Sequence, residues 1–154
     1  MSRFLSAFIW LAILAGFVFF IDQSLNPNKA ERLSPTQTVT LKRDPSGHYR
    51  AEAFINGVKV PVLVDTGATG IAISQHVADR LGLQSQNAVR TQTANGETVG
   101  YLLRLESVKL GGIEVHDVAA SIAPGLADDE ALLGMSFLGR LDVRLYRGNM
   151  TIKQ

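Results

Sequence analysis

From residue 38 onward, apolar and polar residues alternate with a period of two, and turn residues break the runs at short intervals. The sharpest break is Asn56-Gly57, between apolar-patterned runs at 48–55 and 58–64. An Asn-Gly pair tolerates the positive φ angles that a two-residue hairpin turn requires, so the two runs are expected to fold back on each other as strands. Pro61 stands inside the second run. Having no N–H, it is expected to turn its nitrogen away from a ladder partner. A helical bundle has no use for this pattern.

The same grammar continues to residue 153. A second hairpin is expected over 91–99, polar at its tip around Asn95-Gly96, and its second strand pattern runs to Leu110. Gly111-Gly112 turns the chain into another strand at 113–122, and a loop covers 124–130. Leu132-Leu133-Gly134 reads as a short apolar strand, 136–141 as one helical turn, and 142–153 as a hairpin around Arg147-Gly148-Asn149. Ser74 is placed to cap a short helix ending at Gly82, with Val77 and Leu81 on one face. No stretch repeats at a fixed period. The expected fold class is all-β: one closed, barrel-type domain over 38–154 with one or two short helices.

Residues 4–21, FLSAFIWLAILAGFVFFI, carry no charge. As a helix they would span roughly 27 Å, close to the hydrocarbon thickness of a bilayer. A cleaved secretory signal would have a shorter apolar region and an A-x-A-like site, whereas Asp22-Gln23-Ser24 follows here. Residues 1–21 are therefore read as a single transmembrane anchor. Residues 22–37 are polar, contain Pro27 and Pro35, and are read as a flexible tether reaching up to roughly 55 Å. Arg3 before the span and Lys29 and Arg32 after it leave the positive-inside count nearly even.

There are no cysteines, which excludes disulfides and thiolate chemistry. A net charge of +1 offers nothing to nucleic acid, and Arg140, Arg144, Arg147 and Lys153 are spaced like the solvated face of strands. His48, His76 and His116 are too scattered for a metal site, and Asp128-Asp129-Glu130 reads as a solvated loop.

One carboxylate stands out. In PVLVDTGATG, residues 61–70, Asp65 ends an apolar strand and small residues follow it. A carboxylate there costs free energy unless it is paired, hydrogen-bonded or used. Glycine permits a tight turn beyond it, and the Thr66 hydroxyl can brace the loop. Together, Val64-Asp65-Thr66-Gly67-Ala68-Thr69, the hairpin Thr93-Ala94-Asn95-Gly96 and Leu132-Leu133-Gly134-Met135-Ser136-Phe137-Leu138 resemble the retropepsin-like aspartic proteases, and most closely their membrane-anchored bacterial members.

The resemblance covers residues 38–154 and implies an aspartic endopeptidase. It implies catalytic roles for Asp65, Thr66 and Gly67, with Thr66 bonding across a two-fold axis and Gly67 bringing an N–H to the carboxylate. It implies substrate contacts at Ala68, Thr93, Ala94, Asn95, Gly96, Leu133 and Gly134, with the second hairpin closing over an extended polypeptide. No metal or cofactor is implied. The chain holds one Asp-Ser/Thr-Gly. A catalytic pair of aspartates therefore requires a homodimer, with the last strand, 150–153, expected at its interface. Bacterial relatives imply a single-pass inner-membrane protein with its protease domain in the periplasm. The alternative is a catalytically silent relative acting as a dimerisation or peptide-binding module.

Overall fold

A computed structural model describes residues 2–26, 28–29, 37–93, 96–126 and 129–154. The apolar run forms helix α1, Ser2–Leu25. Its stretch from Ser6 to Leu25 is long and apolar enough to cross a membrane, and none of it is buried against the rest of the chain.

The Asn56-Gly57 turn joins β2 (Tyr49–Ile55) to β3 (Val58–Val64) in antiparallel register, with Ile55 opposite Val58. Asn56 and Gly57 have φ of 48° and 80°, as a hairpin turn of this type demands. Counting pairs outward from the turn, Pro61 falls at a non-hydrogen-bonded position opposite Glu52, so its nitrogen faces away from β2 as expected. After β4 (Ile71–Ile73), Ser74 accepts the Val77 N–H at 3.1 Å and starts α2, Gln75–Arg80. Gly82 ends that turn with a φ of 66°.

The second hairpin pairs β5 (Ala88–Thr93) with β6 (Gly96–Leu110). Thr93 sits opposite Gly96, so the connection is 94–95, one residue earlier than the Asn95-Gly96 tip expected. Ala94 and Asn95 lie outside the described residues. Then come β7 (Ile113–Ile122), β8 (Ala131–Leu133) and the short helix α3 (Met135–Leu138).

The main sheet runs β2-β3-β8-β4-β7-β6-β5, and a further pairing of Phe54 and Ile55 with Lys109 and Val108 joins β2 to β6. Six strands thus close into a barrel, with β5 attached outside it. The interior is apolar: Ile55, Ile71, Ile73, Leu105, Leu110, Ile113 and Leu133 are fully buried there, with Phe137 and Leu138 of α3. Burying such side chains is worth roughly 1.5–3 kcal/mol each, which makes the barrel a rigid frame for its loops.

A second sheet takes β1 (Thr38–Lys42), β10 (Asn149–Lys153) and β9 (Asp142–Tyr146) in the order β1-β10-β9. Val39, Leu41, Met150 and Ile152 are buried beneath it. This placement bears on the expected role of 150–153. β10 is paired on both sides, with Val39 and Val143 flanking Ile152. It has no free edge on which to take a strand from another chain, and the outer strands of this sheet are β1 and β9.

Candidate active site

Strand β3 delivers Asp65 to the rim of the barrel. Strand β8 lies parallel to β3, with Leu63 opposite Leu132 and Val64 opposite Leu133. The Leu133 carbonyl then accepts the Asp65 N–H at 3.1 Å, fixing the backbone where the strand stops. Beyond it the chain turns tightly. The Ala68 N–H donates to the Asp65 carbonyl at 3.3 Å, and the Gly67 N–H donates to Asp65 Oδ1 at 2.8 Å. A Cβ at residue 67 would stand 3.2 Å from that same oxygen, so glycine is what lets the amide come so close. The carboxylate itself is partly open to solvent, and Thr66 and Gly67 are exposed. Among the described residues, no basic side chain pairs with Asp65.

The loop is locked from behind by the segment after β8. Met135 N–H donates to the Ala68 carbonyl at 2.8 Å. Gly134 is packed so tightly against the loop that an added Cβ would lie 2.2 Å from the Gly70 oxygen and 2.6 Å from that of Ala68. No side chain fits. Ser136 adds a third tie: its hydroxyl accepts the Ile71 N–H at 3.1 Å and donates to the Ala119 carbonyl at 2.7 Å, joining α3 to β4 and β7. Ser136→Ala leaves both groups short of a partner. It should lower stability by about 1–2 kcal/mol, read as a fall in the urea midpoint at unchanged slope.

The residues expected at the site therefore divide. Asp65, Thr66, Gly67 and Ala68 share one loop, with the Gly67 amide on the Asp65 carboxylate. Leu133 has its side chain fully buried in the core, and its carbonyl holds the Asp65 N–H. Gly134 is likewise buried and serves as the slot in which the aspartate loop rests. Thr93 and Gly96 face each other at the end of the β5–β6 hairpin, where Gly96 has a φ of 106°.

Two roles escaped the reading from residues. Ser136 lies in a quoted motif, but a lone serine signals no staple. Arg140 was read as a solvated charge, yet it donates to the carbonyls of His116 and Asp117 at 2.8 and 2.9 Å. Those carbonyls stand where Asp117 breaks the strand with a φ of 52°. The Arg104 guanidinium, hydrogen-bonded to Asp117, holds that carboxyl below the ordinary carboxylate range.

The family described as "gag-polyprotein putative aspartyl protease" matches residues 51–140, from β2 through the locking segment. A retropepsin-like aspartic protease from Rickettsia conorii superposes with a TM-score of 0.65 at 32% identity, over 74% of this chain and 97% of that one. The chain belongs to the retropepsin-like aspartic proteases.

An inhibitor complex of the EIAV protease shares the fold, with a TM-score of 0.51 at 18% identity over 60% of this chain and 86% of that one. An uncharacterized Sinorhizobium sp protein from the cobV 5' region is 32% identical over 144 residues, 90% of this chain. An uncharacterized protein of Rickettsia prowazekii (strain Madrid E) is 31% identical over 145 residues, 87% of this chain. This retropepsin-like chain spans 62% of the length of each of these two curated relatives.

Proposed function

We propose that this chain is a membrane-anchored aspartic endopeptidase whose active centre forms between two copies, each contributing Asp65. The observation that carries the reading is the locked loop. Asp65 ends a core strand, is fixed by Leu133 and Gly67, and still presents a carboxylate that no basic side chain among the described residues neutralises. Rigid placement of an unneutralised acid is wasteful for a binding module and necessary for acid–base chemistry.

Peptide hydrolysis needs a base to activate water and an acid to protonate the departing amine. Two carboxylates about 3 Å apart cannot both ionise, so they share one proton and supply both functions; this arrangement is the handling of aspartic proteases as a class. The other described aspartates are engaged elsewhere: Asp22 with Lys29, Asp44 with Ser46 and His48, Asp79 with Gln75, Asp117 with Arg104, Asp129 beside His76, Asp142 with Arg144. The second carboxylate is then the partner's own Asp65, which a two-fold axis beside the loop would supply. Thr66, exposed in the single chain, is assigned to bond across that axis. The hairpin bearing Thr93, Ala94, Asn95 and Gly96 is assigned to close over an extended polypeptide and exclude water. Ala68 is assigned to the substrate-facing side of the loop.

Helix α1 is assigned to the membrane as an uncleaved single-pass anchor, with the domain in the periplasm of a bacterial inner membrane. Its uninterrupted apolar length supports the span, and the polar Asp22-Gln23-Ser24 after it supports retention.

The test is cleavage of a diverse peptide library by the full chain in detergent micelles, beside Asp65→Asn. Cleavage by the parent and not by the variant supports the reading; equal cleavage, or none by either, contradicts it. A shared-proton pair also makes a pH prediction. Activity should trace a bell centred on the acidic side of neutrality, because both the doubly protonated and the doubly ionised pair lack one function. A rate that rises steadily to alkaline pH excludes the pair.

A further inference from the structure

The chain that leaves α1 does not hang free. Asn28 is only 4% exposed and its amide is built into the domain. Nδ2 donates to the carbonyls of Lys42 at 2.9 Å and Arg50 at 2.7 Å, and Oδ1 accepts the Lys42 N–H at 3.0 Å. The Asn28 carbonyl accepts the Glu52 N–H at 3.3 Å. Both amide donors are thereby used, and a buried amide so satisfied is costly to withdraw.

The location explains why there is room for it. Arg50 and Glu52 oppose Leu63 and Pro61 at non-hydrogen-bonded positions, so their backbone groups point away from β3. β6 covers that outer edge of β2 only at Phe54 and Ile55. Asn28 fills the remainder and ties the end of β1 to the barrel.

The helix end is fastened to the same short segment. Asp22, in the last turn of α1, accepts the Lys29 ammonium at 2.7 Å and the Asn26 side-chain amide at 3.3 Å. The Asn26 N–H continues the helical pattern to the Asp22 carbonyl at 2.9 Å. Asn26 and Lys29 are thereby held by the helix end and Asn28 by the barrel, within the stretch expected to be a flexible tether; 27 and 30–36 lie outside the described residues.

We propose that Asp22 and Asn28 form a fixed joint that seats the Asp65 end of the barrel at the bilayer surface, so that its substrates are polypeptide segments presented close to the membrane. The proposal rests on the membrane-anchored peptidase reading above. Its reach follows from the connectivity. Leu25 to Asn28 is three virtual bonds, at most about 11 Å. From Asn28 across β2 to β3 is about 10 Å, and from Leu63 to Asp65 about 7 Å along the strand. Asp65 then lies within roughly 30 Å of the helix end, against roughly 55 Å for a free sixteen-residue tether. Juxtamembrane stretches of other membrane-bound chains fit this reach.

Because the chain contains no cysteine, spin labels can be placed at Gln23→Cys and Lys109→Cys, both exposed positions on the helix and the barrel. The full chain, diluted with unlabelled chain in phosphatidylethanolamine–phosphatidylglycerol nanodiscs, should give one narrow distance distribution. Asn28→Ala should broaden it severalfold. Asp22→Ala should do the same while leaving far-UV circular dichroism and the barrel's thermal midpoint unchanged, because its bonds to Lys29 and Asn26 lie outside the barrel strands. A broad distribution in the parent, or a narrow one in Asp22→Ala, overturns the joint, and neither readout depends on catalysis. In the same discs, lipid-anchored peptides with lengthening spacers before the scissile bond should be cut fastest when the spacer reaches about 30 Å. Longer spacers should be cut several-fold more slowly, and Asn28→Ala should flatten that profile. Equal cutting at every spacer length overturns the substrate assignment, whereas no cutting at any length overturns the peptidase reading and leaves the distance result to decide the joint.

Discussion

Asp65→Asn is expected to lower the rate of peptide cleavage by about two to four orders of magnitude, the range associated with loss of a positioned acid–base group. The variant changes one oxygen to nitrogen. Its Oδ1 can still accept the Gly67 N–H, and the Asp65 N–H bond to Leu133 is a backbone bond that the substitution does not touch. The side chain is also partly exposed in the single chain, so no large packing term is lost. The thermal midpoint should therefore stay within a few degrees of the parent's. Loss of activity together with collapse of the fold would show that Asp65 is structural, and retention of activity would show that the chemistry lies elsewhere. Initial rates and circular dichroism melts on the same preparation separate the three outcomes.

The second large effect is on stability. Gly134 has an ordinary φ of −98°, so it is not required for backbone freedom. It is required for space: a Cβ would meet the Gly70 oxygen at 2.2 Å, the Ala68 oxygen at 2.6 Å and the Gly70 carbonyl carbon at 2.9 Å. All three are backbone atoms, which cannot rotate aside as a side-chain end would. Gly134→Ala must then push the aspartate loop off β8, breaking the Met135 N–H to Ala68 bond and straining the Asp65 N–H to Leu133 bond. The expected cost is about 3 kcal/mol or more, or a thermal midpoint lower by roughly 10 °C, with activity lost even where the fold survives. Gly125→Ala is the control. Nothing lies within 4 Å of its added Cβ, so it should melt with the parent. A Gly134→Ala protein as stable as that control would contradict the packing described here.

Most of the barrel was legible because period-two patterning and turn chemistry are local. Asn56-Gly57, Ser74 and Gly82 each state their own geometry, and each stands where its chemistry requires. The second hairpin slipped by one residue because Ala94-Asn95 and Asn95-Gly96 both suit a tight turn, and the cross-strand register, with Thr93 opposite Gly96, decides between them. The aspartate loop was legible as a motif, but the division of labour within Leu132-Leu133-Gly134 was not. Alternation along a strand puts neighbours on opposite faces, and only the tertiary fold shows that Leu133 takes the core face.

The contacts that went unseen are long-range polar ones. Asn28 bonds to residues 14 and 22 positions away, Arg140 to a carbonyl 24 away, and Ser136 to an amide 65 away. No local period announces such a bond. Composition is silent about Asn28, since a polar stretch with two prolines reads as a linker whether or not one amide in it is buried.

The central claim, that one active centre takes Asp65 from each of two chains, is tested most directly by mixing. Parent and Asp65→Asn chains are co-expressed at several ratios, and cleavage is plotted against the parent fraction. A mixed dimer holds only one carboxylate and cannot supply acid and base together. With random assortment at equal amounts, about a quarter of the dimers keep both aspartates, so activity per parent chain should fall to about half although no parent chain has changed. The account predicts a curve that follows the square of the parent fraction. A straight line, with activity proportional to the amount of parent chain alone, would contradict it.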